Sequence, residues 1–348
     1  MAATIAPVYN IFIAEGQQLT DGTEIFSGNY TYMDLDSFQG KTLTPYSTDR
    51  FVGHSLSLYG DIGVNFYVNI PTSDRTRNDI KVVFTWQGNT SEPKTATIPF
   101  SEDLKSNGLF RFTCNVSAAE MCDEITAALY YGSELKGTDV YSVRSYADVI
   151  LSDVEWIVNY REKNSDYVQL STLIKTMLNY GAAAQTQFSH NPGDLANDGI
   201  DHPLNSLSNS EINGIMGSIP DKSVDLSAYG VEYYGYSLLL KTKTNLRFYF
   251  RIKDRTKYDN SVFKLGNVSE VHDHGENYVY IELPDISAAE LADRNMLTVG
   301  DVRMGAFSAL TYVKDVLQND NGEQPLTNTV TAIYRYHEAS VNYFNSAE

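Results

Sequence analysis

From Val64 to Ile70 the chain alternates, with apolar Val64, Phe66, Val68 and Ile70 separated by Asn65, Tyr67 and Asn69. The same period of two runs through Leu246, Phe248, Phe250 and Ile252, with Arg247, Tyr249 and Arg251 between them. A strand points successive side chains to opposite faces, so both stretches predict half-buried β-strands. "KVVFTW" running into "QGN", "LFRFTCNV", "EITAALYYG" and "NYVYIELP" predict further strands. The first fifty residues add "VYNIFIAEG" and "EIFSGNYTYMDLD", which read as strands that extend the first lobe or bridge the pair.

Elsewhere the period changes to that of a helix. Ala147, Ile150, Leu151, Val154, Ile157 and Val158 form one stripe. Ile174, Met177, Leu178, Gly181 and Phe188 form another, in which Gln185 is the polar exception, and Gly181-Ala182-Ala183-Ala184 predicts a close approach to a neighbouring helix. "SAAEM" and "SAAEL" predict short helical turns capped by serine.

These elements occur twice. "GHSLSLYGDIGVNFYVNI" from 53 answers "GYSLLLKTKTNLRFYFRI" from 235, and "VSAAEMCDEI" from 116 answers "ISAAELADRN" from 286. "SYADVIL" from 145 then answers "TYVKDVL" from 311, and "LIKTMLNYGAAAQTQF" from 173 answers "TVTAIYRYHEASVNYF" from 329. Collinear blocks over such a length predict a duplicated module rather than a short solenoid repeat. The expected fold class is α+β, in two similar lobes, each an antiparallel β-sandwich followed by a helical hairpin. The expected boundaries are 1–52 for N-terminal strands joined to the first lobe, 53–188 for that lobe, 189–222 for a linker rich in Asn, Asp, Gly, Pro and Ser, and 223–348 for the second lobe.

Charge narrows the partners. With 26 basic and 44 acidic residues the net charge is -18, which repels phosphate backbones and anionic membranes, so no nucleic acid is expected as a partner. No run of eighteen apolar residues predicts a membrane span. The opening "MAATIAPVYNIFIAEG" lacks the features of a signal peptide, as would a mature secreted chain carrying an added Met. Cys114 and Cys122 have Pro284 and Ala292 at the matching places of the second copy, so the module does not require a disulfide; two buried thiols are expected.

Motifs for an enzyme are missing: no G-x-S-x-G, P-loop, H-E-x-x-H or zinc-spaced cysteine pair occurs. His272 and His274 in "VHDHGEN" fall on one strand side, as two metal ligands would, yet the segment reads better as a hairpin turn. "DLANDGID" and "NDNGE" match no calcium loop and read as solvated turns. No catalytic residue, metal site or cofactor is therefore expected, although carboxylate pairs for glycoside hydrolysis cannot be picked out among 44 acids.

Aromatic residues carry the functional reading. The chain has 25 Tyr against 15 Phe, and tyrosine combines an apolar face with a polar tip suited to surfaces that stack on partners. The link between helical blocks runs from Ser152 to Thr172 in the first copy but only from Gln318 to Asn328 in the second. The longer link holds Trp156, Tyr160 and Tyr167, rings either placed to line a site or packed on their own lobe. Tyr131, Tyr233 and Tyr234 are further candidates, because one ring of each adjacent tyrosine pair faces outward on a strand. Trp86 shares a strand face with Val82 and Phe84, which suits a core role as well as a ligand platform. Tyr67 and Tyr249, repeated at one strand position, read as structural.

The blocks "SLSLYGDIGVNFYV", "FTCNVSAAEMCDEITAALYYG", "YSVRSYADVIL" and "LIKTMLNYGAAAQTQF" resemble a module of secreted and cell-surface proteins of gut Firmicutes, especially ruminococci. The two-lobed plan is also similar to the starch-adherence proteins of the ruminococcal amylosome. The resemblance implies an extracellular or cell-surface protein, held in a multi-protein complex through sequence outside this chain. It further implies noncatalytic binding of a neutral polysaccharide, with starch or maltooligosaccharides first, in or near a cleft between the lobes. Trp156, Tyr160, Tyr131, Tyr233, Tyr234 and Trp86 are the expected contacts; the alternative is a protein-binding adhesin or scaffold.

Overall fold

The alternation of the first lobe becomes seven strands: β1 (Arg50–Ser57), β2 (Gly63–Asn69), β3 (Ile80–Trp86), β4 (Lys94–Pro99), β5 (Leu109–Asn115), β6 (Ile125–Tyr131) and β7 (Glu134–Tyr141). The computed structural model describes residues 13–14, 30–31, 50–57, 62–88, 90–106, 108–153, 157–158, 161–162, 166–319 and 322–346. Every strand pair among them is antiparallel. Contacts divide the chain into two compact units, Met1–Tyr167 and Val168–Glu348, and the fold class is α+β.

In the first unit one sheet runs β1, β2, β5 and the short edge Lys105–Ser106, and the other runs β7, β6, β3, β4. Ile80, Val82, Phe84 and Trp86 of β3 are buried, as are Phe110, Phe112 and Cys114 of β5. The sheets meet through Phe66 and Phe84, whose ring centroids are 5.4 Å apart. Near the N-terminus, Ile13–Ala14 pairs with Tyr30–Thr31. No disulfide joins Cys114 and Cys122; Cys114 is buried as expected, whereas Cys122 is only half-buried. Burial, with Glu120 nearby, pushes the Cys114 thiol up to about 12, which keeps it protonated and inert.

The repeated Ser-Ala-Ala-Glu phrase is a corner. Ser117 begins the 3₁₀ turn Ala118–Glu120, and the Glu120 carboxylate accepts the Ser117 N–H at 3.1 Å in a capping box. The Met121 carbonyl then accepts the Arg144 N–H at 2.9 Å, within the first turn of α1 (Val143–Leu151). Ser287 and Glu290 form the same box, and the Leu291 carbonyl accepts the Leu310 N–H at 3.0 Å. The phrase therefore turns the chain out of a strand and supplies an acceptor for an unpaired donor at a helix start.

Helix α1 ends at Leu151, short of the predicted stripe to Val158. Ser152 is extended there, and its hydroxyl donates to the Val149 carbonyl at 2.7 Å, closing the last turn. Val154 lies outside the described residues.

The second unit contains α2 (Tyr167–Phe188, entering the unit at Val168), α3 (Asn209–Gly214), β8 (Val231–Leu240), β9 (Thr244–Ile252), β10 (Phe263–Leu265), β11 (Val271–Asp273) and β12 (Tyr278–Leu283). It continues with β13 (Asn295–Val299), β14 (Val302–Phe307), α4 (Ala309–Gln318) and α5 (Gln324–Ser346). One sheet runs β8, β9, β12, β11; the other runs β10, β13, β14. They meet through Phe248 against Phe307 and Phe250 against Phe263, at 5.2 and 4.9 Å between centroids.

Helix α2 is buried on nearly every side from Leu173 to Gln185. Its Gly-Ala run admits α5 so closely that Thr329 Oγ1 donates to the Ala183 carbonyl at 3.1 Å, while Tyr180 stacks on Tyr336. Gln185 fits the apolar stripe because it organises the loop beyond: its Nε2 donates to the Asp194 carbonyl at 2.8 Å and its Oε1 accepts the Ala196 N–H at 2.7 Å.

Arg335 of α5 reaches Glu211 of α3 at 2.7 Å. That hydrogen bond, with the backbone and hydroxyl of Ser208, holds the Glu211 carboxyl down at about 2, below the ordinary 4.5. A depressed folded value stabilises above the unfolded value and is lost as pH falls through the folded one. The contribution is expected to be full above about pH 4.5 and gone by about pH 2. Glu211→Gln should flatten a curve of Tm against pH in that window, and an unaltered acid limb would show that the pair contributes nothing.

Candidate functional site

The inward side chains of β9 leave Arg247, Tyr249 and Arg251 on the opposite face of its sheet. Antiparallel register extends that face sideways. Tyr249 lies between Gly235 of β8 and Tyr280 of β12, and Tyr280 lies beside His272 of β11. Arg251 lies between Glu232 and Tyr278, and Arg247 between Ser237 and Glu282. The alternation of "NYVYIEL" buries Val279 and Ile281 and leaves Tyr278 and Tyr280 half-buried on this face.

The rings form two sets on this face. Tyr249 and Tyr280 are 5.8 Å apart between centroids, His272 stacks on Tyr280 at 5.0 Å, and His274 lies 5.2 Å from Tyr249. Tyr234 meets Tyr278 edge to face at 5.0 Å. The Arg247 guanidinium lies over Tyr280 at 4.2 Å and is paired with Glu282, so its charge is balanced at the surface. Tyr249 shares a 3.2 Å hydrogen bond with Ser237 on the same face.

A β-bulge supplies the last ring. Register shifts between Tyr233 and Gly235, so Tyr234 is the extra residue of β8 and is 58% exposed. Together Tyr234, Gly235, Tyr236, Tyr249, His274 and Tyr278 line a hollow of about 510 Å³. That volume lies within the usual range of small-ligand sites, about 300–1,000 Å³. Aromatic faces edged by hydroxyl, imidazole and guanidinium groups can stack on apolar C–H faces and hydrogen-bond a fringe of hydroxyls.

The first unit makes the corresponding face without exposing it. Tyr67 and Val52 are buried, and Tyr67 shares a 2.9 Å hydrogen bond with Ser55, as Tyr249 does with Ser237. Asn65 completes a buried polar set there, donating to Ser55 at 2.9 Å and accepting from Thr113 at 2.7 Å.

The sequence candidates fall in different places. Tyr234 is on the face just described. Tyr233 is not: it points inward against Phe250, 5% exposed, and burial raises its hydroxyl pKa above the ordinary value. Tyr131 continues the buried side of β6 below Leu129 and Ala127, with Arg77 and Lys136 cations over its ring, and Tyr130 is the outward member of that pair. Trp86 is 7% exposed and donates its indole N–H to Glu120 at 3.3 Å. As packed here, these three rings have no free face for a ligand, and Trp86, Tyr131 and Tyr233 are corrected from contacts to core residues. Trp156 and Tyr160 lie outside the described residues.

Tyr278, Tyr280, His272 and His274 were not among the sequence candidates for binding, although the alternation around Val279 and Ile281 marks both tyrosines as outward. "VHDHGEN" is the expected hairpin, with Gly275 at φ 84° and the His274 N–H donating to the Tyr278 carbonyl at 2.8 Å. Among the described residues no group of three or more His, Cys, Asp or Glu side chains is placed to hold a metal ion. Likewise, no described helix is long and apolar enough to cross a membrane. No protein family, curated protein or solved structure matches the chain.

Proposed function

We propose that this protein binds a neutral glycan, without catalysis, on the aromatic face of the second unit's β8, β9, β12, β11 sheet. The observation that carries the reading is the open hollow beside Tyr234, Tyr249 and Tyr278 on a sheet whose other face is packed core. Starch-like α1,4-glucan is the first ligand, on the strength of the resemblance to ruminococcal surface modules. A site on a rigid sheet needs little ordering when it binds. Tyr234 remains a contact and is joined by Tyr249, Tyr278 and Tyr280. Trp156 and Tyr160 of the aromatic insertion are proposed as a further contact surface.

The same reading takes each lobe as a β-sandwich with a helical hairpin, descended from one duplicated module, secreted and displayed at the cell surface. The matching Ser–Tyr hydrogen bonds, bulges and Ser-Ala-Ala-Glu corners support the duplication, and the resemblance alone supports secretion and display.

Native gels containing amylopectin, xylan, a soluble cellulose derivative or mucin test the proposal. Retardation by amylopectin alone is the expected result. Unaltered mobility in all four would overturn the glycan reading and favour an adhesin or scaffold that uses the same tyrosines against a protein.

A further inference from the structure

Gly235 stands inside the ten-residue strand β8, where glycine costs backbone entropy and packs no side chain. Two structural needs commonly keep glycine in a strand. One is a backbone conformation closed to other residues, as at Gly305 of β14, where φ is 136°. Gly235 is absent from the positive-φ positions of this chain. The other is crowding, as at Gly63 of β2, where an added Cβ would fall 2.5 Å from the Asn115 side chain. At Gly235 an added Cβ would meet nothing within 4 Å.

The bulge beside it needs one extra residue, which is Tyr234, and does not itself require a missing side chain at 235. What the absence of a side chain does provide is bare backbone opposite Tyr249, in the hollow that Tyr234, His274 and Tyr278 also line. In the first unit Gly53 occupies the same register opposite Tyr67, and there Tyr67 and Val52 are covered.

We infer that a pyranose ring of the ligand lies directly on the β8 backbone at Gly235, which makes Gly235 the position that sets how closely the polymer approaches and which substituted rings fit. The inference rests on the glycan-binding reading. A side chain at 235 would stand where the sugar's apolar face sits, between Tyr234 and Tyr249. Linear chains enter, and rings carrying a branch on the buried face are rejected.

The test compares wild type, Gly235→Ala, Gly235→Val and Tyr234→Ala by titration with maltoheptaose and by mobility in amylopectin gels, with Tm measured for each. Gly235→Val is expected to keep or raise Tm, since the position is unstrained and strands favour β-branched residues. It should weaken binding by roughly tenfold or more, with Gly235→Ala between it and wild type. If Tyr234→Ala loses binding while Gly235→Val binds as wild type does, the Gly235 inference is overturned and the site stands. If wild type binds none of the glycans, the reading and the inference fall together. A drop in Tm for Gly235→Ala would also overturn the inference, because it would show that the bulge itself needs glycine.

Discussion

Tyr234→Ala is expected to raise the dissociation constant for α1,4-glucan by about thirtyfold, with Tm within about 1 °C of wild type. The binding loss follows from the ring's position: Tyr234 is the most exposed of the site tyrosines and lines the hollow opposite Tyr249. Truncating a central aromatic contact commonly costs about 2 kcal/mol or more, roughly thirtyfold in affinity. Stability should be spared because the ring packs edge to face on Tyr278 at the surface and on little else. Wild-type mobility of this variant in amylopectin gels would remove the β8 bulge from the site. A parallel fall in Tm would show that the residue serves the fold.

The second large effect separates the two copies of the Ser-Ala-Ala-Glu corner. Glu120→Ala is expected to destabilise the first unit by about 3–5 kcal/mol, the usual cost of removing one partner from a buried ion pair. Its carboxylate is fully buried, pairs with Lys94, and accepts the Trp86 indole and the Ser117 N–H. Glu290→Ala should cost only about 1 kcal/mol, the scale of a helix cap. That carboxylate is half-buried and serves the Ser287 N–H and hydroxyl. Thermal unfolding of the two variants measures the contrast. Equal losses would mean that the capping box alone, rather than the Lys94 and Trp86 contacts, sets the value of the corner.

Much of this was written in local patterns. Alternation around Phe66, Phe84 and Phe248 marked strands, and around Phe84 and Phe248 it marked the buried face, because a half-buried strand must keep its apolar side turned inward. The Phe66 strand, expected half-buried, is instead buried on both faces, its Asn65 and Tyr67 held in a polar set. Serine before Ala-Ala-Glu marked the corner by its capping chemistry. The site was less legible, for a physical reason: a bulge breaks the period of two. Both Tyr233 and Tyr236 face inward across the Tyr234 insertion, so counting alternate residues through β8 assigns sides wrongly beyond the bulge. Trp86, for which the sequence left a core role open, and Tyr131 pose a different difficulty. Their strand faces were readable, but that their rings would be covered depended on Glu120, Lys94, Arg77 and Lys136, partners distant in sequence or on other elements. His272 and His274 drew attention as metal ligands, whereas their rings are neighbours of Tyr280 and Tyr249 across strands that only the register brings together.

The end of the repeated sequence and the edge of the folded body do not coincide. The first copy of the repeat closes with "LIKTMLNYGAAAQTQF", yet that helix, buried on nearly every side, receives Thr329 and Tyr336 of α5 within the unit that begins at Val168. Likeness in sequence and packing in the fold therefore use different seams. A segment beginning at Ser189 would leave α5 without the Ala183 carbonyl and the Tyr180 ring that it packs on, so the sequence that looks like the end of one copy is part of the other's core.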